Sequence, residues 1–320
     1  MNNCEMMTMR DIFIEGITRL MEKDDKIFFL SADFGSPKLD NLRSRFKNRF
    51  INVGIAEQNL INLATGLALE GFTVYAYAIA AFLTMRAYEQ IRINLSLLAQ
   101  LKNINVNLIG VGAGLSYDMS GPSHHCLEDI SIMRTLPNIE VISPSDWVLA
   151  KKFVDYSLKY KGPKYLRFDG KPVRRLYNDK DKIRLEEGFF ELRKGDDICL
   201  LSTGFMTHTA KRVAEKLSLE KKNIGLVDIF LLKGFNRVLL ASLLKRYKFV
   251  ITLEEGFIGK GGLDCLASGL FSKDASAPKI KSLGFLDAHV FNIGSREYLH
   301  SLNKLDENSI IKTVKSLLRK

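Results

Sequence analysis

Residues 52–59, Asn-Val-Gly-Ile-Ala-Glu-Gln-Asn, place a carboxylate where a bound ligand could use it. Glu57 follows the short run 49–53, which predicts a strand, and it lies at the start of a predicted helix over 56–69. In open α/β sheets, ligands bind at the carboxyl ends of strands. A carboxylate in a dry site there can share a proton with a ring nitrogen of a heterocycle. The alternative is an exposed glutamate that merely favours the first helical turn.

A group of aromatic residues lies between positions 80 and 91. Phe82 stands at the predicted end of a strand over 74–79, and Tyr88 lies in a predicted helix over 83–98, with Met85 between them. Aromatic side chains can form a wall for a flat heterocycle, a contact worth about 1 kcal/mol beyond area burial. The alternative is that these are ordinary core aromatics.

A polar loop follows at Ser120-Gly-Pro-Ser-His-His125. A histidine in such a loop can donate to a hydroxyl or carbonyl oxygen of a sugar or keto substrate, or relay a proton. The alternative is a pair of histidines that only hold the loop together. Adjacent histidines without further ligands at a familiar spacing give little support for a metal site.

An arginine at the end of a strand is a further candidate. Arg167 closes the predicted strand 163–168. Its guanidinium fork could clamp a phosphate, or it could form a salt bridge across a domain junction.

Composition narrows the class of protein. The 320 residues are 46% hydrophobic and 26% charged, typical of a soluble globular chain, and they are enough for two domains. The charge-free run 71–85 is too short for a membrane span, and the N-terminus lacks the apolar core of a signal peptide, so we expect a cytoplasmic protein. The net charge of +11 is scattered and accompanies no nucleic-acid module. A phosphorylated substrate or an acidic partner subunit accounts for it more simply.

Predicted strands and helices alternate along the chain and could position these residues. This alternation predicts an α/β fold with a mainly parallel sheet covered on both faces over residues 1–172. Residues 173–190 are crowded with charge and read as a linker. A second strand–helix series over 191–320 predicts a smaller α/β domain.

In order and spacing, these pieces resemble the C-terminal half of transketolase over nearly all 320 residues. Ser31-Ala-Asp33 is similar to its Ser-Ala-Asp turn, Gly54-Ile-Ala-Glu57 to its catalytic glutamate motif, and Gly121-Pro-Ser-His124 to its Gly-Pro-Thr-His loop. Phe82 and Tyr88 fall in its cofactor-stacking segment, and Arg167 stands where the family has a phosphate-binding arginine.

The resemblance implies a pyrimidine-binding domain followed by a transketolase C-terminal-type domain. It also implies a thiamine-diphosphate-dependent transferase that moves a two-carbon ketol unit between sugar phosphates. The implied site residues are Glu57 and His124 for catalysis; Glu57, Phe82, Met85 and Tyr88 for the cofactor; and Asp33, Ser120, His124, His125 and Arg167 for the substrate. Ser120 departs from the family, which has an aspartate there.

The family's Gly-Asp-Gly and trailing Asn, which hold Mg²⁺ (or Ca²⁺) and the diphosphate, are not in this sequence, and we expect no metal ligands from this chain. The resemblance therefore implies an N-terminal partner subunit that carries this motif, most simply in an α2β2 heterotetramer. Neither nucleic acid nor a membrane is expected as a partner.

Three alternatives stay open at this point. The beta subunit of a two-oxoacid dehydrogenase has a similar glutamate motif, but the Gly-Pro-Ser-His-His loop argues for the sugar enzymes. Deoxyxylulose-phosphate synthase has a similar Arg-Ala-Tyr helix but is normally one longer chain. A scaffold subunit that retains the fold without catalysis is the third. The sequence names neither the sugars nor the partner.

Overall fold

Strands and helices alternate along the computed structural model, which describes residues 6–178, 180–272, 274 and 276–319. The first half contains β1 (Met6–Met7), α1 (Met9–Met21), β2 (Ile27–Ser31), α2 (Pro37–Arg45), β3 (Phe50–Asn52), α3 (Glu57–Leu69), β4 (Thr73–Ile79), α4 (Ala80–Arg86), α5 (Tyr88–Gln90), β5 (Asn105–Val111), α6 (Asp129–Thr135), β6 (Glu140–Ile142), α7 (Trp147–Lys159), β7 (Lys164–Phe168) and β8 (Val173–Arg174). The second half contains β9 (Phe189–Arg193), β10 (Ile198–Ser202), α8 (Met206–Leu219), β11 (Gly225–Ile229), β12 (Leu231–Lys233), α9 (Arg237–Leu244), β13 (Phe249–Phe257), α10 (Leu263–Leu270), β14 (Lys279–Phe285), α11 (Arg296–Leu302) and α12 (Glu307–Leu317).

The first sheet has the strand order β12-β6-β7-β5-β4-β2-β3 over the described residues. Its strands are parallel except β12, which pairs antiparallel with β6. Alternate residues of β4 divide between two cores, Val74 and Ala76 on one face and Tyr75 and Tyr77 on the other. A parallel sheet buried on both faces is the expected α/β arrangement, so the predicted fold class is confirmed.

The second sheet has the order β14-β13-β10-β11-β9, again over the described residues, and only β9 runs antiparallel. The two halves interlock, because β12 leaves the second half of the chain to join the first sheet. The predicted linker is partly ordered, since β8 pairs antiparallel with β1 and 185–187 form a short 3₁₀ turn.

The helix predicted over 83–98 is the main difference from expectation. The structure begins this helix at Ala80, directly after β4, and interrupts it at Ala87 before α5 and a π-helical stretch, Ile91–Leu97. Phe82 therefore lies in the first turn of α4 rather than at the end of a strand. The wider π turns, which often occur at functional sites, have no signature that apolar spacing reveals.

Among the described residues, no helix is both long enough and apolar enough to cross a membrane.

Candidate functional site

The candidate residues meet where neighbouring parallel strands end. Strands β3, β2, β4 and β5 lie side by side in that order. Glu57 follows β3, Asp33 follows β2, Phe82 follows β4, and the loop 112–120 follows β5. The carboxyl edge of a parallel sheet is the usual place for a ligand, so the topology gathers groups that lie far apart in the sequence.

The turn before Glu57 is shaped by Gly54 and Asn52. Gly54 has a φ of +75°, a left-handed conformation that favours glycine. The Asn52 side-chain oxygen accepts from the backbone N–H of Gly54 at 3.0 Å and from that of Asp33 at 3.1 Å. The Asn52 amide donates to the Asp33 carboxylate at 2.8 Å, so the exposed Asp33 is tied to the end of β3.

Glu57 is buried at the start of α3, with 2% of its surface exposed. Arg86 Nη1 donates to Glu57 Oε2 at 2.5 Å. The same guanidinium lies 4.9 Å from the centroid of the Phe82 ring. Sequence reasoning missed Arg86, although its position one helical turn after Phe82 was a usable signal. Arg86 thus links the carboxylate and the aromatic face.

Phe82 also contacts the polar loop. Its ring packs edge-on against His124 with centroids 5.2 Å apart, and Tyr117 approaches His124 at 6.4 Å. The Ser123 hydroxyl lies 3.1 Å from His124 Nδ1. The structure therefore brings Glu57, Phe82 and His124 into one continuous set of contacts.

His125 is the buried neighbour of His124, with 5% of its surface exposed. Within the described ranges, neither of its ring nitrogens has a hydrogen-bond partner. Burial lowers the pKa of His125 below its ordinary value, which favours the neutral ring. Because buried polar groups are normally satisfied, this imidazole is suited to a ligand hydroxyl.

The remaining predicted residues of this region differ in accessibility. Met85 is 40% exposed, and Ser120 is exposed in the turn Asp118–Ser120. The Tyr88 hydroxyl donates to the Ile132 carbonyl at 3.0 Å and so ties α5 to α6. The part of Tyr88 in cofactor stacking therefore stays a prediction.

Arg167 lies in a buried ion pair at the junction of the two halves. Its Nε donates to Asp129 Oδ2 at 2.7 Å, and 3% of the Arg167 side chain is exposed. Its Nη2 donates to the carbonyls of Cys126 and Glu255, both at 3.3 Å. The salt bridge of Arg167 is formed with Asp129 of the same half of the chain, and its hydrogen bond to the Glu255 carbonyl is the contact that reaches the second half. With 3% of its side chain exposed, the guanidinium has almost no surface for a phosphate.

No group of three or more His, Cys, Asp or Glu residues in the described part of the chain could hold a metal ion.

Comparison with known proteins identifies the two halves. Residues 5–174 match the family model "Transketolase, pyrimidine binding domain", and residues 190–310 match "Transketolase, C-terminal domain". The chain is 30% identical over 318 residues to one of the subunits of the apulose-4-phosphate transketolase of Actinobacillus succinogenes, covering 99% of this chain and 100% of that protein. It is 26% identical to the 6-deoxy-6-sulfo-D-fructose transketolase subunit of a Clostridium species, covering 95% and 92%.

A solved structure described as "Split gene transketolase, inactive beta4 tetramer" superposes with a TM-score of 0.85 at 28% identity, covering 97% of this chain and 98% of that one. By contrast, the chain spans about half the length of the longer transketolases that it matches. The chain therefore matches these transketolase subunits over their full length and the longer transketolases over about half of theirs.

Proposed function

Because the chain belongs to the transketolase family, we propose that it is the C-terminal component of a two-chain, thiamine-diphosphate-dependent enzyme that transfers a two-carbon ketol unit between sugar phosphates. The observation that carries the proposal is the buried Glu57 carboxylate at the start of α3, joined through Arg86 to the Phe82 ring. The two-chain part of the proposal is supported by full-length similarity to a transketolase subunit and to a split-gene transketolase.

The residues fit the aminopyrimidine part of thiamine diphosphate, the cofactor of the family. When bound, this cofactor supplies a carbon nucleophile on its thiazolium ring. Glu57 would hold its carboxyl group against a pyrimidine nitrogen and share a proton there, since a buried carboxylate at a dry site can do so. Phe82 would offer its ring face for stacking.

His124 and His125 would act on the sugar. His124 packs against Phe82 and is partly exposed, so its ring can donate to a hydroxyl or carbonyl oxygen beside the cofactor. His125, buried and without a partner in the described residues, is suited to a second oxygen. Asp33 and Ser120, exposed at the same sheet edge, are the further candidates for substrate contacts.

The partner in this proposal is an N-terminal transketolase-like subunit. It would supply the Gly-Asp-Gly and Asn motif with Mg²⁺ (or Ca²⁺) for the diphosphate, a motif that this sequence lacks. Support comes from the Actinobacillus relative, a transketolase subunit that this chain covers over its whole length, and from the split-gene structure described as an inactive β4 tetramer. We propose an α2β2 assembly, in which each site lies between the two kinds of chain.

The test is reconstitution. The chain is co-purified with a candidate partner that carries Gly-Asp-Gly, and two-carbon transfer from D-fructose 6-phosphate to aldose phosphates is measured with thiamine diphosphate and Mg²⁺. We expect two-carbon transfer by the reconstituted pair and almost none by either chain alone. Tight cofactor binding and turnover by this chain alone would rule out the two-chain proposal. Decarboxylation of pyruvate in place of transfer would favour the dehydrogenase or the deoxyxylulose-phosphate synthase alternative.

A further inference from the structure

The loop 121–126, which carries both histidines and is called the histidine loop below, is held at its start by the second domain. Asp118 lies in the turn directly before it. The backbone N–H of Arg296, at the first residue of α11, donates to Asp118 Oδ2 at 2.7 Å. The Lys171 ammonium also donates to that oxygen. The entry to the histidine loop therefore depends on where α11 begins.

The end of the histidine loop is held by the same domain through a glycine. The backbone N–H of Cys126 donates to the Gly114 carbonyl at 2.9 Å, and that of Gly114 donates to the Cys126 carbonyl at 3.1 Å. Gly114 has a φ of +58°, and a Cβ there would lie 2.0 Å from Glu255 Oε2. The same oxygen accepts from the Leu115 backbone N–H at 3.3 Å. The Glu255 carboxylate thus fixes the backbone that pairs with Cys126.

Glu255 and Arg296 are in turn fixed to each other. Their side chains are 2% and 3% exposed, and Arg296 Nε donates to Glu255 Oε1 at 2.7 Å. The His300 ring nitrogen lies 2.7 Å from the same oxygen, and Arg296 Nη1 donates to Asp169 at 2.5 Å. Burial alone would raise the pKa of Glu255, but the Arg296 guanidinium holds it well below its usual range. A buried pair with further partners resists displacement, because moving one member leaves the other unpaired.

We propose that Glu255 and Arg296 are positioning residues for His124 and His125, so that the second domain sets the recognition of the sugar substrate. The inference rests on the proposed function. Glu57 and Phe82 lie on elements of the first domain that follow β3 and β4 and are joined there by Arg86, although Phe82 also packs against His124. Disturbing the Glu255–Arg296 pair should therefore alter sugar binding and leave cofactor binding intact.

The experiment compares two substitutions in the reconstituted pair. Glu255→Gln keeps the side-chain volume and an acceptor for the Leu115 N–H but removes the charge that holds Arg296. Glu297→Gln is the matched control, because it removes the same charge from an exposed residue next to Arg296 on α11. We expect kcat/KM for D-fructose 6-phosphate to fall at least about tenfold in Glu255→Gln, chiefly through KM, since misplacing contacts by about 1 Å is costly. The Kd for thiamine diphosphate should stay within about twofold.

A folded Glu255→Gln enzyme whose kcat/KM lies within about twofold of Glu297→Gln would overturn the inference. Equal losses of cofactor binding and turnover would also overturn it, because they would indicate a purely structural role. Should Glu255→Gln fail to fold, Asp118→Ala removes the carboxylate that accepts from the Arg296 backbone N–H and from Lys171 at the other end of the histidine loop, and it must give the same rise in KM.

Hydrogen exchange separates this inference from the proposed function. If the wild-type pair transfers no two-carbon unit, the proposed function fails, but the positioning role is still decided in this chain. We expect Glu255→Gln, or Asp118→Ala where Glu255→Gln does not fold, to speed amide exchange in residues 112–126 at least about tenfold relative to Glu297→Gln. Unchanged exchange in those residues would overturn it.

Discussion

Glu57→Gln should remove turnover and hardly change stability. The side chain is buried, and its described ion pair is with Arg86, whose side chain is 46% exposed. Glutamine preserves the volume and can still accept from Arg86, but it cannot share a proton with a ring nitrogen as a carboxyl group does. The substitution therefore separates the chemical role of Glu57 from its structural role.

The expected effects of Glu57→Gln on folding stability and on turnover differ in size. Because water screens Arg86, the ion pair contributes at most about 1 kcal/mol, which corresponds to a shift of about 2–4 °C in Tm for a domain of this size. Loss of a positioned acid–base group costs about 10²–10⁴-fold in rate, equivalent to about 3–5 kcal/mol in the transition state. Turnover should therefore fall much further than folding stability.

The assay measures single-turnover transfer by the reconstituted pair, with thermal unfolding of the chain beside it. Glu89→Gln is the matched control, since Glu89 is an exposed glutamate paired with Arg92. Glu57→Gln with more than about a tenth of wild-type turnover would refute the catalytic role, and a scaffold subunit would give that result. A Tm drop of about 10 °C or more would show that the structural estimate is wrong.

Three further outcomes follow from particular contacts. Phe82→Ala should weaken thiamine diphosphate binding to the pair at least about fivefold by calorimetry, through loss of a stacking face worth about 1 kcal/mol, and an unchanged Kd would exclude that face. Burial lowers the pKa of His208 to about 4, so the neutral ring stabilises the fold above pH 6.5. This contribution of about 3 kcal/mol to the unfolding free energy is lost as the pH falls toward 4. Urea unfolding should show that loss in the wild type and not in His208→Gln. Asp129→Asn strands the buried Arg167 and should cost about 3–5 kcal/mol of unfolding free energy, whereas Asp287→Asn, at an exposed pair, should leave the denaturation midpoint unchanged.

Local pattern was sufficient for several strands of the first sheet and for the family. The sequence predicted strands close to β3, β4 and β7, because buried parallel strands are short apolar runs whose neighbours are polar turns. The same reasoning placed Glu57 at a helix start, as found. It failed at the helix after β4, where the break at Ala87 and the π turns that follow depend on packing rather than on apolar period.

Contacts between residues that are far apart in the sequence could not be predicted from local pattern. Leu115 and Glu255 are 140 residues apart, and the two halves interlock through β12. An arginine in the sequence is compatible both with a phosphate clamp and with an ion pair. The burial of Arg167 beside Asp129 distinguishes these two interpretations. Sequence spacing carries no information on such contacts, because they depend on how distant parts of the chain pack against each other.

Local periodicity and residue type are enough to give the α/β class, the kinds of side chain available for chemistry and their order along the chain. Which of those side chains meet became clear from the folded chain. There, Glu57, Arg86, Phe82 and His124 come together at one sheet edge, and Arg167 is buried beside Asp129. Burial, charge pairing and distance are properties of packed surfaces, and residues far apart in the sequence create those surfaces together.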